Sequence, residues 1–311
     1  MVQPLNTPSP PVVWLITDHK PGHRSQLEGL RLALEQQTGA RSFWLDALPT
    51  RQALRAWACR RFPPGQALPA PDLIVVAGHR THGSGLAARR AHGGRLVVLM
   101  RPSLPGGLFD ACVVPEHDRP PRSGLVLRSE GALNPMRPGP KRPGSSIVLI
   151  GGLSRHFGWD DRSVLDAVDA LRQRAPQTLI TDSRRTPPEL RVQLARLPHY
   201  HPWEQCPPGW LADTLAHTET AWITADSVSM IYEALTAGCL TGVIPLPAQI
   251  VRKAGRSGKI PSAIARLIHS GRVRQHGDSA PPASPPPPLN EAHRIARLLT
   301  ERFLSRSTRH A

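Results

Sequence analysis

Asp226, Ser227 and Glu233 stand where an apolar, β-rich run at residues 221–225 gives way to helical spacing of Ile231, Ala234, Leu235 and Gly238. The pattern predicts a strand, a tight turn and a helix. A helix that begins where a buried parallel strand ends turns unpaired N–H groups and a partial positive charge toward the crevice above the sheet. Anion binding is the chemistry to expect there. Asp226 and Glu233 are seven residues apart, close to two helical turns, so both carboxylates are expected on one face with Ser229 and Met230 between them. Simpler readings stand beside this one: Asp226 as the helix N-cap, contributing about 1 kcal/mol, and Glu233 as a solvated surface acid.

Three other clusters could do chemistry. After the apolar run at residues 12–16 comes a polar loop, 17–26, in which Gly22 permits close backbone approach while Lys20, His23 and Gln26 offer donors. His19 and His23 could share a metal only on a helix, and Pro21 between them argues against one. Glu116, His117 and Asp118 form an acid–imidazole cluster. A carboxylate there can hold an imidazole in the tautomer a general base needs, or the group can simply satisfy local hydrogen bonds. In the second half, the apolar run 147–150 leads into Gly151 and Gly152, which admit either a ligand's phosphate or sugar or a tight turn. Ser183, Arg184 and Arg185 follow the short strand 178–180. Charge-assisted bonds of about 1.5 to 3 kcal/mol each make the two arginines the best anion ligands in the chain, unless they form a solvated basic turn.

Short continuous apolar runs separated by helical patterns predict an α/β protein whose parallel strands are buried on both faces. At 311 residues the chain suits two domains. Their expected limits are residues 1–133 and 147–280, with a proline-rich linker at 134–146 and a proline-rich spacer plus amphipathic last helix at 281–311, placed to pack back on the first domain.

The net charge of +16, with all but four of the 39 basic residues arginine, fits a polyanion or an anionic membrane surface. Abundant Ala, Arg, Pro and Gly point instead to codon bias in a GC-rich genome for most of the surface arginines. Neither a zinc-finger spacing, an aromatic RNA-binding signature nor a dense basic arm is present, so nucleic acid is not expected. The four cysteines form no CxxC pair and predict reduced thiols rather than a disulfide framework or zinc site. No signal-peptide pattern and no run of about 18 apolar residues occurs, which predicts a cytoplasmic protein, peripheral at most on the inner membrane face.

The motifs Leu149-Ile150-Gly151-Gly152, Thr181-Asp182-Ser183-Arg184-Arg185-Thr186 and Thr224-Ala225-Asp226-Ser227-Val228-Ser229-Met230 occur in that order. With Phe109-Asp110, Pro115-Glu116-His117-Asp118 and Glu130-Gly131-Ala132-Leu133, the chain resembles the mitochondrial fission ELM family from about residue 14 to 299. The resemblance implies a GT-B-like architecture of two Rossmann-like domains facing across a cleft, as in glycosyltransferases and non-hydrolysing nucleotide-sugar epimerases. It also implies that Ser227 meets a donor's phosphates and Glu233 its ribose or sugar hydroxyls. The chain departs from the family at Pro207-Pro208-Gly209-Trp210, where Asn-Pro-aromatic is usual, and at Cys239-Leu240 in place of Lys-Pro.

The function expected on these grounds is an inverting transferase using a nucleotide sugar as co-substrate and an acceptor of unknown identity. Ser183, Arg184, Arg185 and the amides at Asp226 and Ser227 would hold the diphosphate. His23 or His117, the latter beside Asp118, would deprotonate the acceptor hydroxyl. Arginines and a helix terminus can neutralise a leaving diphosphate, and no acidic metal pair is evident, so neither metal nor further cofactor is expected. The alternatives are a non-catalytic interaction or division-related module that retains the cleft, and a nucleotide-sugar epimerase.

Overall fold

The computed structural model describes residues 9–116, 118, 121–247, 259–278 and 286–305. His117, residues 253–258 of the basic loop and 281–285 of the proline run lie outside them. Two compact units emerge: Met1–Pro135 with Glu291–Ala311, and Met136–Asn290.

In the first unit the elements run β1 (Val12–Thr17), α1 (Pro21–Thr38), β2 (Arg41–Asp46), α2 (Thr50–Ala58), β3 (Leu73–Ala77), α3 (His82–His92), β4 (Arg95–Leu99), β5 (Ala111–Pro115) and β6 (Val126–Ser129). The strands pair in parallel in the order β2-β1-β3-β4-β5-β6. From β1 the chain moves out to β2 and then returns to β1's other side as β3. The order therefore reverses between β1 and β3, and a crevice opens over their carboxyl ends. Helix α1 starts at Pro21, earlier than the loop expected to reach Gln26. Proline suits a first helical turn because its missing N–H would have no partner there, so Pro21 opens the helix and brings Gly22 and His23 into it.

The second unit runs β7 (Arg142–Leu149), α4 (Asp161–Arg174), β8 (Leu179–Thr181), α5 (Pro188–Leu194), β9 (Tyr200–His201), α6 (Trp210–His217), β10 (Thr218–Thr224), α7 (Val228–Ala237), β11 (Leu240–Ile244), α8 (Lys259–His269) and β12 (Val273–Gln275). Its parallel order is β12-β11-β10-β7-β8-β9, so the reversal falls between β7 and β10. Strand β7 takes up residues 142–146 of the stretch read as linker. Ile147, Val148, Leu149, Ala221 and Ile223 are wholly buried under α4 and α7, which explains why both runs read as continuously apolar.

Helix α9 (Glu291–Leu299) returns to the first unit. Its Ala292, Ile295, Ala296 and Leu299 join Leu27, Leu30 and Leu34 of α1 in one core. Glu291 accepts the Glu130 amide at 2.7 Å, tying the helix to the end of β6.

Candidate functional site

Each sheet's reversal point gathers polar residues. In the second unit, Thr224 ends β10 and its hydroxyl does two jobs, accepting the Gly151 amide at 2.8 Å and donating to Asp226 Oδ1 at 2.7 Å. Asp226 Oδ2 accepts the Gly152 amide at 2.9 Å and pairs with Arg185 Nη2 at 2.7 Å. The Asp226 side chain is fully buried. A methyl group on Gly151 would stand 2.2 Å from Asp226 Oδ2, and one on Gly152 would stand 2.0 Å from the Arg185 carbonyl. The room these glycines leave is filled by the protein's own carboxylate and carbonyl rather than held open for a ligand.

Asp226 therefore does not share a helical face with Glu233. Nor does it cap α7, whose N-cap is Ser227 and whose cap position makes no side-chain bond. An amide, a hydroxyl and a guanidinium already surround its carboxylate, which turns away from the helix. Ser227 is buried and its amide donates to the Thr224 carbonyl at 3.1 Å. The amides of Val228, Ser229 and Met230, in the first turn, have no intrahelical acceptor.

Ser229, Met230 and Glu233 do share a face, being three and four residues apart. Ser229 is exposed and Met230 half-buried. Glu233 keeps part of its surface in solvent but lies deep among protein atoms, and this desolvation pushes its carboxyl up to about 7 from an ordinary 4.5. No charged or hydrogen-bonding partner among the described residues offsets it. Folding thus retains a proton that the unfolded chain releases. The acid's stability contribution is intact below about 4.5 and declines as pH rises to about 7. Glu233→Gln escapes that penalty. In thermal unfolding it is expected to match the wild type near pH 4 and to exceed it by about 3 kcal/mol near pH 8. Equal stability at the higher pH would remove the buried-acid reading.

The expected arginine pair is divided. Arg185 points inward, donating from Nη1 to the Gly152 and Leu153 carbonyls at 3.2 and 3.1 Å besides its bond to Asp226. Arg184 is exposed and lies over the Trp203 ring, 5.2 Å from its centroid. It has no acidic partner among the described residues. Together with Leu153, Thr186, Pro187, Pro188 and Arg191, the two line a shallow depression of about 370 Å³. Arg191 is committed elsewhere, to buried Asp182 at 2.9 Å and Glu204 at 3.0 Å. Ser183 donates to the Gly151 carbonyl at 2.6 Å, and Thr186 bonds the same carbonyl, so both hydroxyls serve the glycine loop.

At the first unit's reversal point, His23 Nδ1 lies 2.9 Å from Asp18 Oδ1, and the Asp18 side chain is only 4% exposed. Burial pushes the Asp18 carboxyl up, but the His23 hydrogen bond, the Lys20 amide and the charges of His23 and Lys20 outweigh it and hold the group below its ordinary value. Gly78, after β3, is where the imidazole rests: a Cβ there would come within 2.3 Å of the ring. Gly22 is exposed in the same first turn of α1. Asp118, half-buried, follows β5 and donates its amide to the Pro115 carbonyl at 2.9 Å. Its strand lies two places beyond β3 in the sheet, away from the reversal. His117 falls outside the described residues.

Asp18, Gly78 and Thr224 were not singled out from the sequence. The available signal was positional: each lies at the carboxyl end of a strand flanking a reversal, and the strand order reveals the reversal. Among the described residues, no group of three or more His, Cys, Asp or Glu side chains could hold a metal ion.

Six-stranded parallel sheets of this kind, twice in one chain and with the last helix returned to the first, define a GT-B-type, glycosyltransferase-like α/β fold. The chain belongs to the mitochondrial fission ELM1 family, whose model matches residues 21–303. A Listeria monocytogenes structure assigned as a UDP-N-acetylglucosamine 2-epimerase is similar, with a TM-score of 0.53, 14% identity, and coverage of 94% of this chain and 88% of that one. At that identity it supports the fold. S. aureus MnaA in a structure with UDP has a TM-score of 0.49, 13% identity and coverage of 94% and 89%. CalG4, the calicheamicin glycosyltransferase, has a TM-score of 0.44, 15% identity and coverage of 96% and 90%. No curated protein matches the sequence.

Proposed function

We propose that the chain binds a nucleotide sugar at the amino end of α7 and transfers the sugar, with inversion, to an acceptor hydroxyl. The carrying observation is Glu233, a desolvated carboxyl without a partner among the described residues. It lies one turn past free helical amides at a sheet's reversal point. Ribose hydroxyls would supply the hydrogen bonds that Glu233 lacks, and the amides of Val228, Ser229 and Met230 would take the diphosphate. Arg184 is the free guanidinium for that anion. Asp226, Arg185, Ser183, Gly151 and Gly152 act by fixing the loop. In this reading Met230 packs beside the nucleoside, and Ser227 sets the helix start.

His23, oriented by Asp18, takes the proton of the acceptor hydroxyl as the bond to the sugar's anomeric carbon forms and the nucleoside diphosphate leaves. Asp118 has no role in this scheme. The positive end of α7 and Arg184 stabilise the charge that develops on the leaving group. The high arginine content fits an acceptor at, or a peripheral contact with, an anionic surface.

A melting-temperature screen of nucleoside diphosphates and their sugars tests the donor site. Ligand at a hundred times its dissociation constant is expected to add about 2.7 kcal/mol to the wild type, and Arg184→Ala and Glu233→Gln are expected to bind about tenfold more weakly. Failure of every nucleotide to raise the melting temperature, or a response from both variants equal to that of the wild type, would end the assignment. Interconversion of free nucleotide sugars without acceptor would make the protein an epimerase. Binding with no turnover in the wild type would make it a binding module.

A further inference from the structure

We infer that the outward face of α2 docks on a bilayer of anionic phospholipid. This rests on surface residues outside the proposed nucleotide site and stands or falls independently of it. The inner side of the helix is ordinary: Ala53 and Ala56 are buried. On the outer side Arg51, Leu54, Arg55 and Ala58 are neighbours at three- and four-residue spacing, and all are exposed. Leu54 is 69% exposed and Trp57, on the flank, 42%. A lone exposed leucine would carry little meaning.

The surroundings give it one. Between residues 47 and 109 the sequence holds nine arginines and a single acid, Asp72. Asp72 is occupied at the amino edge of the sheet, accepting the Val12 amide at 2.9 Å. Arg89 and Arg95 pair with Asp110. Arg51, Arg55, Arg61 and Arg90 have no acidic partner among the described residues. A depression of about 570 Å³ opens beside the helix, with Arg55 and Arg61 on its rim and Leu48 and Ala56 among its apolar walls. Guanidinium forks at such a rim suit phosphate, and arginine stems can lie along an apolar phase while their heads stay at its polar boundary.

Charge alone would admit nucleic acid as well as lipid, and two residues decide between them. Leu54, on the crest, gains nothing from a phosphodiester backbone but is buried by acyl chains. Trp57 is already covered by Arg90, whose guanidinium carbon lies 4.3 Å from the ring centroid, so that face is closed to a stacking base. A tryptophan and an arginine beside an exposed leucine match the polar–apolar boundary of a bilayer. Such docking is peripheral, for no helix among the described residues is long and apolar enough to cross a membrane.

The test is co-sedimentation of the full chain with phosphatidylcholine vesicles made with and without phosphatidylglycerol. The wild type is expected to pellet with the anionic vesicles, less so as salt is raised, and to stay largely in solution with the neutral ones. Leu54→Asp should lower the partition coefficient about tenfold, and Arg51→Glu combined with Arg55→Glu at least as much. These positions are exposed, so unchanged melting temperatures will separate lost docking from lost folding. Absence of binding to anionic vesicles, or wild-type binding by Leu54→Asp, overturns the inference. So does tight binding of a single-stranded RNA that ignores Leu54→Asp and disappears in the arginine variant, accompanied by loss of any vesicle preference.

Discussion

Asp226→Ala is expected to cost the second unit about 3 to 5 kcal/mol of stability, although the residue touches no ligand in the proposed scheme. The substitution removes the acceptor of the Gly152 amide, the acceptor of the Thr224 hydroxyl and the counter-charge of Arg185 at once. The magnitudes differ among the three. The Arg185 side chain is 42% exposed, so solvent screens the ion pair and rehydrates the guanidinium when its partner goes. The buried amide and hydroxyl have no such recourse, and an unsatisfied buried polar group costs about 1 to 3 kcal/mol. Most of the loss should therefore come from Gly152 and Thr224. Arg185→Ala is expected to cost less than Asp226→Ala, because water can enter where the guanidinium lay.

Urea unfolding of the two variants, with Arg184→Ala as the exposed control, measures the ranking. The expected order is Asp226→Ala well below Arg185→Ala, and Arg184→Ala within about 0.5 kcal/mol of the wild type. An Asp226→Ala protein within about 1 kcal/mol of wild type would mean that this contact behaves as a surface ion pair. The glycine loop would then be held by Ser183 and Thr186 alone. Nucleotide binding should weaken in Asp226→Ala as well, since the turn that starts α7 loses its anchor to Gly152.

What could be read from residue order alone follows from how local each signal is. The runs at 12–16, 147–150 and 221–225 announce buried parallel strands because each is apolar on both faces, and they lie at or beside the centre of the two sheets. Strands β6, β9 and β12 escaped notice: all three lie at sheet edges and are short, with four, two and three residues, so none needs a long apolar run. Pro21 was misread because proline breaks a helix interior yet opens a helix readily, and the sequence around it does not say which. Asp226 shows the deeper limit. Its seven-residue spacing to Glu233 promised a shared face, but its true partners, Gly152 and Arg185, lie 74 and 41 positions away in the chain and meet it only once β7, β8 and β10 are side by side. The Asp18–His23 pair was nearer in sequence. It went unseen because the loop was not read as helical, which would have turned the His23 ring back toward Asp18.

His23→Ala is expected to reduce acceptor-dependent turnover by about 10² to 10⁴ while leaving nucleotide affinity unchanged. The argument is one of orientation. Nδ1 faces the buried Asp18 carboxylate at 2.9 Å, so it is the nitrogen that carries the proton, and Nε2 keeps the lone pair that accepts one. Asp18 also stabilises the imidazolium formed after the transfer. Asp18→Asn keeps an acceptor for Nδ1 but no charge, and a loss of about tenfold to a hundredfold is expected, in kcat rather than KM. Gly78→Ala is a third probe, for its methyl group would stand 2.3 Å from the ring and Gly78 has a φ of +88°, so it displaces the base without changing its chemistry. Rescue of His23→Ala turnover by added imidazole separates a base from a merely structural histidine. Variants that bind nucleotide and turn over as the wild type does would show that the proton leaves by another route.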